Sequence, residues 1–168
     1  MVYNIGELIF ESPSKTHNLD KSYPHYHKSY ELCYLVGDYE RQYFINHTIY
    51  HVGKNDVILV AKGDMHKTSP ASDSYERYLL YIPEEYFEDK SMFDCFKVKY
   101  LKLSEQQSDI IHTIFEKIES EFKSMDELSE KLIKTYIGEM LLIFKRFSKL
   151  QPEIKSELEI SEKSIQTA

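Results

Sequence analysis

The chain has 168 residues, 42% hydrophobic and 29% charged, and this composition predicts a folded domain and excludes a disordered chain. Its net charge is −7 and it has no basic stripe, so nucleic-acid binding by this chain alone is not expected. Two cysteines cannot form a disulfide scaffold, and the sequence shows neither a signal-peptide pattern nor a membrane-spanning run, so we expect a cytoplasmic protein.

The first part of the chain, residues 1–100, contains short runs of β-branched and aromatic residues separated by turn residues. Such runs predict the antiparallel strands of a sandwich or barrel. A turn at Gly37 is predicted to join two of the strands as a hairpin. The clearest predicted strands are Tyr30–Val36, Gln42–Ile45, Asp56–Val60 and Tyr75–Ile82.

The second part, residues 101–150, is predicted to form two long helices. Ser104 and Gln107 have the spacing of a capping box, and apolar residues then recur at helical intervals. A second helix should begin near Ser124 or Asp126 and end at Pro152, and its apolar stripe runs from Leu128 to Phe147. This stripe either packs on the sheet and the first helix or meets a second subunit, and both interpretations stay open. The residues assigned to homodimerisation are Ile133, Ile137, Met140, Leu141 and Phe144.

The most specific feature is the segment from His25 to Glu31. On a strand, alternate residues share a face, so His25, His27 and Glu31 should point the same way. A later strand and a turn at Gly63 lead to His66, which could return beside the first pair. Imidazole and carboxylate ligands suit a divalent transition metal such as Zn, Ni, Fe or Mn. The alternative is a hydrogen-bonded polar cluster or a contact for an organic ligand.

These motifs resemble the two motifs of the cupin superfamily, in which an H-x-H-x₃₋₄-E pattern is followed by a glycine and, later, by G-x-x-H. The resemblance implies a double-stranded β-helix, or jelly-roll barrel, with metal positions at His25, His27, Glu31 and His66. The second motif departs from the family pattern. Its departures are Asn55 for glycine, Ala61 for proline and Pro70 for asparagine.

A finer resemblance links the chain to the N-terminal sensor and dimerisation domains of AraC-family transcription regulators. It rests on the order HKSYEL, NDVILVAKGDMH and YERYLLYIPEEYF, in which a strand is followed by a helical turn at Pro83. The resemblance implies a mainly β fold with C-terminal helices, a small-molecule effector in the barrel and a helical homodimer contact. It also implies that residues 151–168 lead to a helix-turn-helix domain that contacts DNA.

The resemblance and the strand alternation together select a set of effector-binding residues. Aromatic faces and hydroxyl groups suit a sugar-like ligand, although each tyrosine could equally be sheet packing. The predicted set is His25, His27, Tyr43, His66, Glu76 and Tyr78.

Two other functions stay open. One is a metal-dependent cupin enzyme, such as an oxygenase or isomerase, and the other is a stand-alone binding cupin. Other chemistry has no support, because the sequence contains no P-loop, no G-x-G-x-x-G motif and no G-x-S-x-G motif.

Overall fold

A computed structural model describes residues 1–13, 23–69 and 76–151 of the chain. These residues form nine strands, two long helices and two 3₁₀ helices. The strands are β1 (Val2–Ile5), β2 (Leu8–Glu11), β3 (Tyr30–Leu35), β4 (Arg41–Ile45), β5 (Thr48–Val52), β6 (Asp56–Val60), β7 (His66–Thr68), β8 (Arg77–Ile82) and β9 (Tyr100–Lys102). The 3₁₀ helices are Glu84–Tyr86 and Lys90–Lys97, and the long helices are α1 (Glu105–Lys123) and α2 (Ser129–Ser148).

The strands form two antiparallel sheets that pack face to face. The larger sheet has the order β1-β2-β8-β3-β6-β9, and the smaller sheet has the order β5-β4-β7. Side chains from both sheets, such as Cys33 and Tyr43, meet between them in one apolar cluster. The predicted fold class, a mainly β cupin-like barrel followed by two antiparallel helices, is therefore confirmed.

The central strands of the larger sheet are buried on both faces, so alternate residues enter two different cores. We call the cluster between the sheets the barrel core and the cluster between the larger sheet and the helices the helix core. The barrel core consists of Cys33, Leu35, Tyr43, Ile45, Val52, Ile58, Val60 and Leu79. The helix core includes Leu32, Tyr34, Val57, Leu59, Tyr78 and Leu80 from the sheet and Phe115, Ile118, Ile137 and Phe144 from the helices.

The two long helices begin and end close to where the sequence predicts. The Ser104 hydroxyl accepts a hydrogen bond from the Gln107 amide, and the Gln107 side chain accepts one from the Ser104 amide, so the capping box is confirmed. The predicted helical turn after Pro83 is also confirmed as the 3₁₀ helix Glu84–Tyr86. The second 3₁₀ helix, Lys90–Lys97, was not predicted.

The apolar stripe of α2 belongs to the helix core. All five residues assigned to dimerisation have 0% of their surface exposed within the single chain, because they pack on α1, on the 3₁₀ helix Lys90–Lys97 and on the larger sheet. The assignment of these five side chains to a subunit interface is therefore wrong, and the packing interpretation is correct. The five are Ile133, Ile137, Met140, Leu141 and Phe144.

The predicted hairpin at Gly37 is also wrong. Strand β3 pairs with β6 and β8, whereas β4 pairs with β5 and β7, so the chain crosses between the sheets at Gly37. The two-residue hairpin lies instead between β4 and β5, where Ile45 pairs with Thr48. Asn46 has a φ of 53° in this turn, a conformation that asparagine adopts more readily than most residues.

Several predictions fall on residues that the structure does not describe. These are the positions of Pro70, Tyr75 and Pro152, and the linker from residue 152 onward. No helix within the described ranges is long and apolar enough to cross a bilayer.

Candidate functional site

Three histidines meet at one end of the barrel. His25 forms an isolated antiparallel bridge with His66, and their ring centroids lie 4.2 Å apart. The ring of His27 lies 4.9 Å from His25 and 5.0 Å from His66. One ring nitrogen from each residue lies within 4.8 Å of the other two. The predicted convergence of these residues is thus present in the structure.

Residues within the turn before His66 fix the conformation of that turn. Gly63 has a φ of +82°, which favours glycine because a Cβ is strained there. The Asp64 carboxylate accepts a hydrogen bond from the Ala61 amide at 2.9 Å and pairs with Lys99 Nζ at 2.6 Å. The turn places His66 at the start of β7, where it pairs with Ile45 of β4.

Backbone carbonyls orient two of the rings. Nδ1 of His25 lies 3.0 Å from the Tyr23 carbonyl oxygen, and Nδ1 of His66 lies 3.0 Å from the Asp64 carbonyl oxygen. Because a carbonyl only accepts, both Nδ1 atoms carry the proton, and Nε2 of each neutral ring carries a lone pair. Carbonyls hold metal-ligating histidines in this same manner.

Glu31 is the buried carboxylate of the cluster. Its Oε2 lies 3.0 Å from His27 Nε2 and 3.3 Å from His66 Nε2. Burial raises the pKa of Glu31, but the two imidazoles outweigh it and lower that pKa to about 2. Burial likewise lowers the pKa of His66, and Glu31 reverses this effect and leaves the pKa raised. The pKa of His25, by contrast, is lowered by burial and by the other two imidazoles.

Two buried nitrogens of the cluster lie close to the Glu31 carboxylate without a well-directed hydrogen bond to it. Nε2 of His27 and Nε2 of His66 are both buried, and neither makes a directed hydrogen bond to any described residue. A neutral His66 would place a lone pair against the Glu31 carboxylate, which is an acceptor beside an acceptor. A proton on the imidazole or a cation bound between the groups removes this conflict. The residues present therefore fit a divalent metal, with three imidazole ligands and Glu31 beside two of them.

The remaining effector-site predictions differ in outcome. Tyr43 lies in the barrel core as expected, fully buried, with its hydroxyl donating to Cys33 Sγ at 3.4 Å. Glu76 lies half-buried just before β8, where its carbonyl accepts from the Val36 amide at 3.1 Å. Neither residue contacts the histidines among the interactions of the described residues.

Tyr78 lies on the wrong side of the sheet for the predicted role. Its ring stacks on Phe115 of α1 at 4.5 Å, within the helix core. The prediction failed because the alternation fixes which residues share a face but not which face points inward.

The residue that sequence reasoning missed is Tyr81. It is the direct strand partner of Glu31, and its ring lies edge-on to His27 with centroids 5.2 Å apart. Burial raises the pKa of Tyr81, so its hydroxyl stays protonated. A signal for it was present in the sequence. Tyr78, Leu80 and Ile82 form an apolar face that suits a helix, whereas the other face of β8 carries polar groups.

The second-motif position where asparagine replaces glycine has a structural explanation. Asn55 has a φ of 67°, in the left-handed region that glycine favours and asparagine tolerates. Its side-chain oxygen accepts a hydrogen bond from the Ser108 hydroxyl at 2.8 Å. The substitution thus preserves the turn and adds a bond to α1.

Comparison with known proteins adds the family. A family model described as the AraC-like ligand binding domain matches residues 11–132. A search of curated proteins found no match. The solved structure of the AraC-like transcriptional activator CuxR aligns with a TM-score of 0.65 and 11% identity, over 93% of this chain and 57% of CuxR. Apo ToxT from Vibrio cholerae aligns with a TM-score of 0.54 and 12% identity, over 86% of this chain and 58% of ToxT.

These comparisons agree with the motifs in the sequence. The chain spans less than two thirds of CuxR and of ToxT, and at these identities the likeness establishes the fold alone. The family model covers most of the chain, including the histidine cluster, strands β3 to β9 and α1. The chain therefore belongs to the family of AraC-like ligand-binding domains.

Proposed function

We propose that this chain is the effector-sensing domain of an AraC-type transcription regulator, and that it senses its signal at the histidine end of the barrel. The observation that carries the proposal is the convergence of three imidazoles, of which His27 and His66 have buried Nε2 atoms with no directed hydrogen bond among the described residues. A sensing site needs such unsatisfied groups, because they give a ligand something to bind.

In this proposal, the cluster holds a divalent transition metal. His25, His27 and His66 would be the ligands, and Glu31 would balance the charge beside His27 and His66. The metal would supply a Lewis-acidic position for an oxygen or nitrogen atom of a small effector. Tyr81 would offer the effector an aromatic ring and a protonated hydroxyl, a combination that suits a small polar molecule such as a sugar.

The rest of the regulator follows as expectation. With a net charge of −7, this chain would not contact DNA, and a helix-turn-helix domain of the whole regulator would do so in the cytoplasm. Two copies would associate through the outward side of α2, where Leu142 is 52% exposed. Binding at the barrel would then be coupled to how the DNA-binding domains are presented.

Metal titration tests the proposal. Calorimetry of the chelator-treated domain with Zn²⁺, Ni²⁺, Fe²⁺ and Mn²⁺ should show one site per chain. His66→Ala should weaken binding by at least about tenfold, because metal affinity depends on each ligand and its supporting groups. His51→Ala, at an exposed histidine of β5 outside the cluster, should leave binding unchanged.

Two results would count against it. If none of the four ions binds, the cluster does not hold a metal. If both variants weaken binding equally, the ion binds elsewhere.

A metal-dependent enzyme is the second candidate, since the same cluster could present a metal to a substrate. An enzyme would convert a substrate in the presence of the metal. A sensor domain would instead change its stability or association on binding, with the effector recovered unchanged.

A further inference from the structure

One ion pair joins the turn before His66 to the second 3₁₀ helix. Lys99 follows that helix, which ends at Lys97, and its Nζ lies 2.6 Å from Oδ2 of Asp64. The same Nζ donates a hydrogen bond to the carbonyl of Phe96, within the helix, at 2.8 Å. Both side chains are mostly buried, with 19% of Lys99 and 16% of Asp64 exposed. A pair at this depth is screened less by solvent than a surface pair, so it restrains its two partners more strongly.

Asp64 is the residue that orients His66. Its backbone carbonyl accepts the hydrogen bond from Nδ1 of His66 at 3.0 Å. Its carboxylate accepts hydrogen bonds from the Ala61 amide at 2.9 Å and from Nδ2 of Asn46 at 3.1 Å. Because the carboxylate and the carbonyl belong to one residue, the bonds to the side chain restrict where the carbonyl points. A shift of that carbonyl would rotate the His66 ring and move Nε2, the nitrogen that faces Glu31.

The position of Lys99 is fixed by the helices in turn. Phe93 and Phe96 of the second 3₁₀ helix are buried in the helix core. Asp94 of the same helix pairs with Lys145 of α2, with 2.9 Å between Oδ2 and Nζ. The placement of the Lys99 ammonium group therefore depends on how this 3₁₀ helix packs against α2.

We propose that Lys99 is a positioning residue for His66, acting through Asp64, and that it connects the histidine cluster to the second 3₁₀ helix and through it to α2. This inference rests on the proposed function, since it assigns the route by which binding at the histidine end alters α2. A ligand on Nε2 of His66 fixes the ring, and the ring fixes the Asp64 carbonyl and the turn that Lys99 contacts. Conversely, a displaced 3₁₀ helix loosens the ring and weakens binding, because coupling between two sites is reciprocal.

A neighbouring ion pair supplies a matched control. Lys62 lies two residues before Asp64 in the same turn, and it pairs with Glu84 at the surface. Lys62→Gln and Lys99→Gln remove the same charge from the surroundings of the cluster, but only Lys99→Gln breaks the bond to Asp64. A difference between the two variants therefore reports that bond and not the change in net charge.

The exchange of the His66 Nδ1–H proton with water, followed by NMR in the chelator-treated domain, tests the positioning role. In the wild type the bond to the Asp64 carbonyl should protect this proton. Lys99→Gln should speed its exchange by at least about tenfold, whereas Lys62→Gln should change it by less than about twofold. Lys99→Arg keeps a charged donor for the Asp64 carboxylate and should restore most of the protection. The amide of Leu32, in the central strand β3, reports global unfolding and should not respond.

Two further measurements follow the connection in both directions. Lys99→Gln should weaken Zn²⁺ binding by about tenfold, because residues that orient a metal ligand affect metal affinity by this order, and Lys62→Gln should not. Lys145→Gln frees Asp94 of the 3₁₀ helix from α2. It should speed the exchange of the His66 Nδ1–H proton by only about twofold, because a partly exposed ion pair contributes little and this pair lies further from the ring.

The outcomes separate this inference from the proposed function. The positioning role is overturned if Lys99→Gln leaves the Nδ1–H exchange unchanged, if Lys62→Gln speeds it equally, or if the Leu32 amide accelerates in parallel. The connection to α2 is overturned if Lys145→Gln has no effect on that exchange. If the wild type binds no Zn²⁺, the zinc site of the proposed function fails, whereas the exchange at His66 in the metal-free domain still decides the role of Lys99.

Discussion

The two faces of the larger sheet differ in composition, because one carries the apolar packing of the fold and the other carries buried charged groups. The helix core, on one face, is apolar and aromatic, with Phe115 of α1 stacked on Tyr34 at 5.6 Å and on Tyr78 at 4.5 Å. The barrel side carries the buried carboxylates of Glu31, at one end, and Asp56, at the other. Stability is therefore concentrated on the helix side, which leaves the barrel side free to hold charges that cost stability and bind ligands.

The strongest test of this division compares neighbouring residues of α2. Leu141 is 0% exposed in the helix core, and Leu142 is 52% exposed. Leu141→Glu should destabilise the domain by more than about 4 kcal/mol, because it removes a packed side chain and buries an unpaired charge. Leu142→Glu should change the unfolding free energy of the monomer by less than about 0.5 kcal/mol. Urea denaturation of both variants measures the difference, and equal losses would contradict the placement of the helix core.

A second comparison uses the two tyrosines of β8. Tyr78→Ala should cost about 3 kcal/mol of stability, since it removes an aromatic ring from the stack on Phe115. Tyr81→Phe should leave stability nearly unchanged and alter binding at the histidine end, because it removes only the hydroxyl of a tyrosine whose ring lies against His27. Thermal denaturation and ligand titration of each variant separate the two effects. The assignment of faces fails if Tyr78→Ala changes ligand affinity without changing stability.

This comparison also marks the limit of what the sequence predicts. The sequence shows the alternation of side chains in β8. It does not show which face of β8 points into the barrel and which is covered by the helices, because this depends on residues far away in sequence, such as Phe115. The false hairpin at Gly37 has the same cause, since the partners of β3 are β6 and β8 rather than the next strand.

Local signals, by contrast, predicted local structure well. The capping box at Ser104 and strand Asp56–Val60 lie where the sequence indicates, because each depends on neighbouring residues. The convergence of His25, His27 and His66 was predicted through the family motif, which encodes a non-local contact. For the apolar stripe of α2 the sequence contains no such motif. The sequence alone therefore could not decide whether this face is covered by the same chain or by a second copy.

The pH dependence of the metal-free domain should reveal the histidine cluster as a source of stability within a limited range. The lowered pKa of Glu31 gives stabilisation that is present above its ordinary value of 4.5 and lost as the pH falls toward about 2. The raised pKa of His66 gives stabilisation that is present below its ordinary value of 6.5 and lost as the pH rises through the raised pKa. The combined contribution of Glu31 and His66 is therefore largest between 4.5 and 6.5, where the lowered pKa of His25 opposes it.

Glu31→Gln is the matching variant. With chelator present, the wild type should exceed it in unfolding free energy by on the order of 1–3 kcal/mol near pH 5.5, and by less near pH 8. A difference that is constant with pH would show that Glu31 acts only by packing. Metal affinity should show the opposite pH dependence, because protons compete with the metal for the imidazoles. It should fall as the pH drops through the raised pKa of His66.

The smallest expected effect concerns association between chains. With the α2 stripe buried, the outward residue Leu142 is the place on α2 where a second copy could bury apolar surface, and Ile110 is the exposed counterpart on α1 at 48%. Burying one leucine contributes about 1.5–3 kcal/mol, so Leu142→Glu should weaken a dimer by about tenfold or more. Ile110→Glu makes the same chemical change on the other helix and should leave the dimer intact. Sedimentation of both variants decides between the helices. If Ile110→Glu dissociates the dimer instead, the contact lies on α1. If the wild type is monomeric at tens of micromolar, this domain does not dimerise by itself.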